Sequence, residues 1–555
     1  MCDHPSAIIV SLFLLLVLRF VGYALYNVFL HPLASFPGPK SAAASYIPQF
    51  IARGKGNNQY IKELHDKYGS VVRIAPNELS FTNPQAWRDI YGHIPGQKQL
   101  PKQIVVDQPD LVLKAPHLIL APDAAHARMR RNLSHAFSSV AVKEQEPLMK
   151  VHFDKMVAGI KEQAAVSRKG RIDMEKMYNC VAFDVIGDLA FSDSFGALDR
   201  YAYHEFMIGV ARNLKAMSVV TQIIPAAVKG RAKHFGFAAE RVEARIARET
   251  HRKDFMWYIL RHNEKDERGL SRQEIYSNAG LLIGAGSETT ATLLTGTTYY
   301  LLKNPRVMQK LRSEIRSAFD SDADINITSA SQLPYLSAVM EEGMRLYPPG
   351  PAANVRVTNH ATRIDGNIVP KGVRVSVQAW TAHRSKSNFI DAENFIPERW
   401  QPGVDKRVVN DKRDAVQPFS YGPRNCLGKS LAYAEMYSIM ARTFYNFDME
   451  LCSESEGWLD QRAFIFWDKG PLWRLHRGFD HGDIFARVEV DCTDYGLNGG
   501  GNELIGNSPK LPWMGDNVVA ECTPMADPSK ACVPADVYNN VVAASCLTIS
   551  KVSPA

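Results

Sequence analysis

Residues 419–428 read Phe-Ser-Tyr-Gly-Pro-Arg-Asn-Cys-Leu-Gly and constrain the chemistry of this 555-residue chain more than any other segment. They place Cys426 in a glycine-bounded loop, two residues after Arg424, and a helix is predicted over residues 427–436. A nearby arginine and the amides of a helix N-terminus both lower the pKa of a thiol. A single cysteine in an apolar segment is most often an inert core residue. The spacing of its neighbours favours the alternative, a loop that presents a thiolate to a ligand.

The other fixed positions of this loop have physical reasons of their own. Gly422 permits a tight turn, and Gly428 lacks a Cβ, so the backbone can lie against a flat ligand. Phe419 is expected to pack beside the sulfur and keep water away. Together with Arg424 and Cys426, these residues fit the haem-binding signature Phe-x-x-Gly-x-Arg-x-Cys-x-Gly, and the segment resembles that of the cytochrome P450 superfamily.

The resemblance implies a haem enzyme in which Cys426 is the axial ligand of the iron. A thiolate ligand pushes electron density onto iron and favours O–O cleavage, so the implied reaction is insertion of one oxygen atom from O₂ into a substrate. The implied cofactor is haem b, with O₂ as co-substrate. The implied fold is the cytochrome P450 fold, mainly α with a small β-sheet region, preceded by one N-terminal transmembrane helix.

A second segment, Gln273 to Lys303, is apolar nearly all round and predicts a buried central helix. Its middle is locally unfavourable, because Gly284 and Gly286 each cost about 1 kcal/mol relative to alanine in a helix interior. Polar residues follow directly in an otherwise apolar run. Close helix packing through small residues is one interpretation, and a functional site is the other.

The sequence Ala-Gly-Ser-Glu-Thr-Thr at 285–290 resembles the oxygen-activation motif of the family. The resemblance implies that small residues leave room for O₂ and that Thr289 and Glu288 deliver protons to it. Thr289 would hydrogen-bond the oxygen, and Glu288 would connect it to solvent.

A third segment contains Glu342 and Arg345, three residues apart on a helix that must end before Pro348. Most such pairs are solvated surface ion pairs. The later Pro-Glu-Arg-Trp sequence supplies Arg399, and the resemblance implies a buried network of Glu342, Arg345 and Arg399 that fixes the thiolate loop. Removal of one partner would cost about 3–5 kcal/mol.

The fourth segment predicts a helix on which His126 and Arg130 share a face. The resemblance implies that both contact the haem carboxylates, together with Arg356 and Arg424. A histidine in a mixed helix is also commonly an ordinary surface or core residue, and this alternative stays open for His126.

The N-terminal sequence predicts a membrane anchor over residues 1–30, because the apolar run is close to the roughly 20 residues that cross a bilayer. A signal peptide is the competing interpretation, but no basic n-region or small-x-small cleavage site is evident. Basic residues after the span predict a cytosolic catalytic unit on the endoplasmic reticulum membrane. Residues 31–40 resemble the proline-rich hinge of microsomal members.

The haem-thiolate domain is predicted over residues 41–478, and residues 479–555 depart from the family pattern. The latter segment has four basic and ten acidic residues and no sustained periodicity, which predicts a flexible extension. It is either an unusual extension or an artefact of the gene model. The preceding part is more basic than the formal net charge of +7 for the whole chain. This charge favours an acidic electron donor, and the basic residues expected to attract it are Arg128, Arg131, Lys412, Arg413 and Lys429.

No flavin or nicotinamide fingerprint accompanies the motifs, so electrons from NADPH must arrive through a separate partner. The expected partner is NADPH-cytochrome P450 reductase, with cytochrome b5 as a second candidate. The amino-acid sequences of the motifs resemble those of microsomal fungal members, specifically trichothecene-pathway C-15 hydroxylase-like monooxygenases. The expected substrate is a hydrophobic polyketide or terpenoid. The segments expected to contact it are mainly apolar: 103–120, 206–228, 279–286, 352–355 and 463–466.

Two other functions remain open from sequence. A haem-thiolate isomerase or dehydratase needs no electron donor, and in such proteins the acid-threonine pair is typically altered. A membrane-tethered haem-binding protein without turnover belongs to a different class, and NADPH consumption coupled to product would exclude it.

Overall fold

The structure is a computed structural model that describes residues 5–93, 96, 99–103, 115–167, 170–209, 225–248, 251–263, 269–403, 405–478, 487–490 and 547–550. Of the segments expected to contact substrate, residues 104–114 and 210–224 lie outside this described part. The chain divides into two units, Met1–Arg477 and Gly478–Ala555.

The α-helices of the first unit are α1 (Pro5–Phe29), α2 (Lys40–Ala44), α3 (Ile47–Lys55), α4 (Asn57–Tyr68), α5 (Pro84–Tyr91), α6 (Asp123–Ser134), α7 (Ser139–Val166), α8 (Met174–Phe191), α9 (Ala197–Arg200), α10 (Pro225–Ala247), α11 (Phe255–Asn263), α12 (Arg272–Lys303), α13 (Pro305–Ala318), α14 (Ile327–Ser331), α15 (Pro334–Leu346), α16 (Ala379–His383) and α17 (Lys429–Asn446). The strands are β1 (Val71–Ala75), β2 (Glu78–Phe81), β3 (Arg171–Asp173), β4 (Arg356–Val357), β5 (Thr362–Ile364), β6 (Asn367–Val369), β7 (Arg374–Val377), β8 (Phe447–Leu451), β9 (Arg462–Ala463), β10 (Trp467–Asp468) and β11 (Trp473–Gly478). Helices therefore dominate and the β-structure is minor, as the sequence predicted.

Helix α12 is the central element of the first unit. It begins after a capping box in which Ser271 and Glu274 satisfy each other's backbone amides, and it ends at Asn304. From Thr290 to Leu302 its side chains are buried, because α8, α10, α15 and α17 pack around it. The helix predicted from residue 273 is thus present and starts one residue earlier.

The largest sheet has the strand order β1-β2-β7-β4. Strands β1 and β2 are antiparallel, β2 and β7 are parallel with Leu79 opposite Val375, and β4 pairs antiparallel with β7. A three-stranded sheet, β3-β11-β8, joins the start of α8 to the strands after α17. Two hairpins complete the set, β5 with β6 and β9 with β10. Strand β4 carries Arg356 to the edge of the largest sheet.

Helix α1 contains the candidate membrane span Val10–Phe29, a stretch of 20 residues that is almost entirely exposed. The segment after it packs against the first unit. Leu33 is fully buried beside the largest sheet, and the carbonyl of Pro37 accepts from the Arg73 amide at 2.7 Å. The fully buried Arg73 side chain donates to the carbonyl of Asn27 at 2.8 Å. The end of α1 is therefore attached to the sheet by direct contacts.

The second unit contributes two described strands, β12 (Arg487–Val490) and β13 (Leu547–Ser550). They pair antiparallel, with Val488 opposite Ile549.

Candidate active site

The Cys426 loop is a tight turn held by its own backbone. The Cys426 amide donates to the carbonyl of Phe419 at 2.8 Å, and the Asn425 amide donates to that of Gly422 at 3.0 Å. Gly422 has φ +76°, and a Cβ there would lie 1.9 Å from the carbonyl oxygen of Tyr91. Both the conformation and the close approach require glycine, as the sequence predicted. Apart from its chain neighbours, the nearest described atom to a Cβ on Gly428 would be Phe137 Cδ1 at 4.0 Å, so protein does not crowd this backbone.

The Cys426 side chain is solvent-accessible, although protein surrounds it closely enough to desolvate the sulfur. This desolvation raises the pKa of the Cys426 thiol above its ordinary value. The Gly428 amide and the charges of Arg130 and Lys429 lower the pKa but do not outweigh it. The prediction that the loop alone lowers the thiol pKa was wrong, because desolvation was left out. A bound metal ion deprotonates a coordinating thiol outright, so ionisation can come from the metal.

The two arginines expected near the thiolate have different partners. Arg130 of α6 donates to the carbonyl of Asn425 at 2.7 Å and to its Oδ1 at 2.6 Å, which fixes the residue directly before Cys426. Arg424 donates to the carbonyl of Ala121 at 2.9 Å and to Asp123 at 2.7 Å. Arg130, rather than Arg424, is the arginine whose charge acts on the sulfur.

A cluster of cationic side chains lies beside this loop, and we call it the cationic cluster; its members are Lys102, His126, Arg130, Arg356 and Arg424. Burial and neighbouring positive charges lower the pKa of Lys102 to about 7 and that of His126 to about 4. Burial likewise lowers the pKa of Arg356. Among the described residues, one guanidinium nitrogen of Arg356 and one of Arg424 are buried without a hydrogen-bond partner.

Buried cations without counter-ions are unfavourable, and an anion would relieve them. The carboxylates of a haem fit this requirement, and Cys426 supplies an accessible sulfur beside the same cluster. The residues present therefore fit haem. Lys102 is a member that sequence reasoning missed. Its backbone forms a β-bridge with Arg356, a contact between residues 254 positions apart for which the sequence carries no local signal.

A second charged group lies between α15 and the segment before the loop, and we call it the glutamate network. Both Glu342 oxygens accept from Arg345, at 2.7 and 2.8 Å, and Arg399 donates to the same carboxylate at 3.1 Å. All three side chains are fully buried. Burial by itself raises the pKa of Glu342, but the two guanidiniums outweigh this effect and hold it below its ordinary value. The structure thus brings the three predicted residues together.

Further partners, not predicted from sequence, complete the glutamate network. Trp400 donates its indole N–H to Glu342 at 2.9 Å, and Asp411 forms a buried ion pair with Arg399. Arg345 also donates to the carbonyl of His383 at 2.9 Å. Nε2 of His383 accepts from the amide of Gln417 at 3.3 Å, two residues before the Cys426 loop. A continuous chain of contacts therefore joins the network to that loop.

Thr289 and Glu288 lie on α12 but do not contact each other. The Thr289 hydroxyl donates to the carbonyl of Ala285 at 2.7 Å, one turn earlier. The Glu288 carboxylate accepts from Lys469 at 2.7 Å and from Thr292 at 3.2 Å. Consecutive residues of a helix leave its axis about 100° apart, which explains the separation. Lys469 is a partner that sequence reasoning missed.

The small residues of α12 have two different surroundings. A Cβ on Gly286 would lie 2.7 Å from the Ile186 side chain of α8, so Gly286 provides close helix packing. For Gly286, this contact supports the interpretation of close helix packing through small residues. Ala285, by contrast, is exposed within a largely buried helix.

Two further titratable residues contact side chains of α12. Burial raises the pKa of Glu435 on α17 to about 8, despite a hydrogen bond with Thr290 of α12. Arg128, which was expected to attract an electron donor, forms an ion pair with Glu274 at the start of α12.

Comparisons with known proteins agree with this geometry. The family model for cytochrome P450 matches residues 37–473. The trichothecene C-4 hydroxylase of Trichoderma arundinaceum is 40% identical over 480 residues, covering 82% of this chain and 94% of the relative. The averantin hydroxylase of Dothistroma septosporum is 38% identical over 467 residues, covering 81% and 87%. A cytochrome P450 monooxygenase of Aspergillus oryzae, astJ, is 40% identical over 474 residues, covering 81% and 93%.

The family match spans most of the chain, and the relatives are monooxygenases and hydroxylases of fungi. The family uses haem and O₂ with electrons from a redox partner. The chain therefore belongs to the cytochrome P450 family and is a haem-thiolate monooxygenase.

Proposed function

We propose that this monooxygenase oxidises a lipophilic specialised metabolite, a polyketide or terpenoid, with electrons from NADPH delivered by a separate cytochrome P450 reductase. The printed names of two relatives, averantin hydroxylase and trichothecene C-4 hydroxylase, support this substrate class. Cytochrome b5 is a second candidate donor. The structure describes part of the expected substrate segments. Four apolar residues there are exposed or half-buried: Ala285, Ala352, Ile465 and Phe466.

Cys426 is the proposed axial ligand. Haem bound through its sulfur would supply the reduction of O₂ and the transfer of one oxygen atom to the substrate. Arg130 positions the ligand by donating to both oxygens of Asn425, and Phe419 fixes the loop through its carbonyl. Gly428 keeps the adjacent backbone free of a Cβ.

Arg356, Arg424 and Lys102 are the proposed partners of the two haem carboxylates, because Arg356 and Arg424 each keep a buried N–H without a protein acceptor in the described residues and burial lowers the pKa of Lys102. His126 is uncharged at neutral pH, since its pKa is lowered to about 4, and it would contribute a neutral N–H. The glutamate network of Glu342, Arg345 and Arg399 is proposed to be structural and to hold the Cys426 loop through His383.

Thr289 is proposed to donate a hydrogen bond toward O₂. Glu288 is proposed to supply protons to Thr289. For this, the Glu288 side chain must turn away from Lys469, its partner at 2.7 Å. The presence of this acid-threonine pair argues against an isomerase or dehydratase that needs no electrons.

The proposed location is the endoplasmic reticulum membrane, with α1 as a single-pass anchor and the catalytic unit in the cytosol. The exposed apolar span Val10–Phe29 supports an anchor. The basic residues that follow it, Lys40, Arg53 and Lys55, support the cytosolic side. Residues 479–555 are proposed to be an extension separate from the haem domain.

The observation that carries the proposal is an accessible cysteine beside a cationic cluster in which two buried guanidinium nitrogens lack a protein partner among the described residues. The test is the carbon monoxide difference spectrum of reduced microsomes that contain the full chain, beside Cys426→Ala. We expect the long-wavelength band of thiolate-ligated haem in the parent and its complete loss in the variant. An unchanged band in Cys426→Ala would overturn the ligand assignment.

Substrate class is then tested by adding reductase, NADPH and panels of polyketides and terpenoids. Product formation that requires NADPH supports the proposal. Product formed without NADPH would instead favour the isomerase or dehydratase, and haem binding without any turnover would favour the non-catalytic alternative.

A further inference from the structure

Lys469 is a buried cation directly beside the acid of α12. It lies between β10 and β11, and its side chain is 4% exposed. An ammonium group has three N–H donors. Two of them are used by Glu288 Oε1 and Thr292 Oγ1, each at 2.7 Å. Glu175 Oε1 lies 3.7 Å from the same nitrogen, within ion-pair distance.

The charges around Lys469 define its state. Burial lowers the pKa of Lys469, but Glu288 and Glu175 raise it and prevail, so the side chain is a cation between two carboxylates. Burial raises the pKa of Glu175 above its ordinary value, although Lys469 opposes this effect. Glu175 therefore takes up a proton more readily than a surface carboxylate does.

The contacts continue from Glu175 to the protein surface. The Tyr203 hydroxyl donates to Glu175 Oε2, and Tyr203 as a whole residue is 38% exposed. Asn179 donates to Glu175 Oε1 at 2.7 Å and fixes the orientation of the carboxylate. The four side chains of Tyr203, Glu175, Lys469 and Glu288 thus form one line from solvent to α12.

We propose that Tyr203, Glu175 and Lys469 form the route by which protons from solvent reach Glu288. This inference rests on the proposed function. Monooxygenation converts RH, O₂, two electrons and two protons into ROH and H₂O, so two protons must enter the site in each turnover. Within the part of the chain that the structure describes, the Glu288 carboxylate contacts Thr292 and Lys469, and Lys469 in turn faces Glu175.

Each step of the route moves one proton and leaves the chain unchanged after it resets. Glu288, ionised beside Lys469, first receives a proton from the Lys469 ammonium and then turns to give this proton toward Thr289. Glu175 returns a proton to Lys469, and Glu175 is reprotonated from water through Tyr203. No electron is transferred along the route.

The experiment compares Lys469→Met, Lys469→Arg and Glu175→Gln in the full-length, haem-loaded enzyme with its reductase. The carbon monoxide difference spectrum gives the haem content of each variant. Product, NADPH consumed and hydrogen peroxide released are measured in H₂O and in D₂O. The matched control is Asp184→Asn, which also removes a buried charge from α8 but whose carboxylate accepts from the amides of Ala197 and Leu198.

For Lys469→Met and Glu175→Gln, we expect product formation per haem to fall on the order of 10²-fold, the lower end of the range for loss of an acid-base group. Peroxide release per NADPH should rise and the solvent isotope effect should increase, with the haem content retained. Lys469→Arg keeps a cation beside Glu288 but cannot give up a proton, so it should remain slow. Asp184→Asn should keep the parent ratio of product to NADPH.

Full recovery of turnover in Lys469→Arg would overturn the route, because it would show that Lys469 only positions Glu288. Parent-like turnover and isotope effect in Glu175→Gln would overturn it as well. If Lys469→Met loses its haem, Glu175→Gln and Lys469→Arg still decide the matter. A parent enzyme that binds carbon monoxide as a thiolate haem but never consumes NADPH would instead contradict the proposed function.

Discussion

The glutamate network and the cationic cluster both approach the Cys426 loop, but they handle buried charge in opposite ways. In the glutamate network, Glu342 accepts four side-chain hydrogen bonds, from Arg345, Arg399 and Trp400, and Asp411 neutralises the second arginine. In the cationic cluster, positive charges lie close together and Arg356 retains a buried nitrogen without a partner in the described part of the chain.

The difference teaches which charges serve the fold and which await a ligand. A charge group that the protein itself neutralises stabilises one conformation of the backbone. A group of cations whose pKa values are lowered by burial and by neighbouring positive charges is unfavourable until an anion arrives, and such perturbation is typical of functional sites. Removal of a member should therefore affect haem-free stability in the first region and haem affinity in the second.

The largest expected effect is the loss of Glu342. Glu342→Gln should lower the free energy of unfolding by about 3–5 kcal/mol, because two fully buried guanidiniums lose their shared counter-ion. Denaturant unfolding of the haem-free and haem-bound protein measures it. The control is Glu63→Gln, an exposed residue of α4, expected to change stability by less than about 0.5 kcal/mol. An equal loss of unfolding free energy in Glu342→Gln and Glu63→Gln would show that the glutamate network stabilises the fold no more than an exposed carboxylate does.

The next effect should appear in haem affinity. Arg356→Met should weaken haem binding by about 10- to 100-fold, equivalent to one charged hydrogen bond of about 1.5–3 kcal/mol. The haem-free protein should be as stable as the parent or more so, since a buried cation has been removed. Haem titration and denaturant unfolding measure the two quantities. Arg363→Met, an exposed arginine on nearby β5, should change neither.

A third prediction concerns the pH dependence of the haem-free protein. The pKa of Lys102 is about 7 in the folded state and 10.5 ordinarily, so the unfolded chain binds more protons between these values. Stability contributed by this group must therefore rise with pH from about 7 to 10.5.

We expect Lys102→Met to lack this part of the rise, and added haem to reduce it, because carboxylates favour the charged lysine. Unfolding free energies at pH 7 and pH 9 check the prediction in parent and variant. If the unfolding free energies of parent and variant changed equally with pH, Lys102 would not be a source of unfavourable charge in the cationic cluster.

The smallest effect should come from the edge of the glutamate network. Trp400→Phe removes one indole N–H from Glu342 and leaves both arginines in place. The free energy of unfolding should fall by about 1.5 kcal/mol, the lower end of the range for a hydrogen bond to a charged group, because Glu342 keeps its bonds to both arginines. A loss as large as that of Glu342→Gln would mean that Trp400, and not the ion pairs, holds the network.

The elements that carry periodic or spaced patterns could be predicted from sequence. The central helix begins within one residue of its predicted start, because the nearly continuous apolar sequence and the Ser271 capping box act locally. Gly422 was also predictable, since a tight turn needs a positive φ. The grouping of Glu342, Arg345 and Arg399 came from resemblance to a family and not from spacing.

The remaining features depend on contacts between distant parts of the chain. Lys469 is 181 residues from Glu288, and no local pattern distinguishes it from a surface lysine. Gly286 packs against Ile186, and only the position of α8 shows that its missing Cβ serves packing. The direction of the Cys426 pKa shift depended on desolvation by surrounding protein, which a sequence motif does not report.

The attachment of α1 by Arg73 has a practical consequence for producing this enzyme without its membrane span. A shortened chain that starts at residue 30 would lack the Asn27 carbonyl and leave an Arg73 N–H without its acceptor. A chain that starts near residue 24 would discard most of the apolar span yet keep that acceptor, together with the buried Leu33. The better place to cut is therefore inside α1, one turn before Asn27, and not at the prolines that follow it.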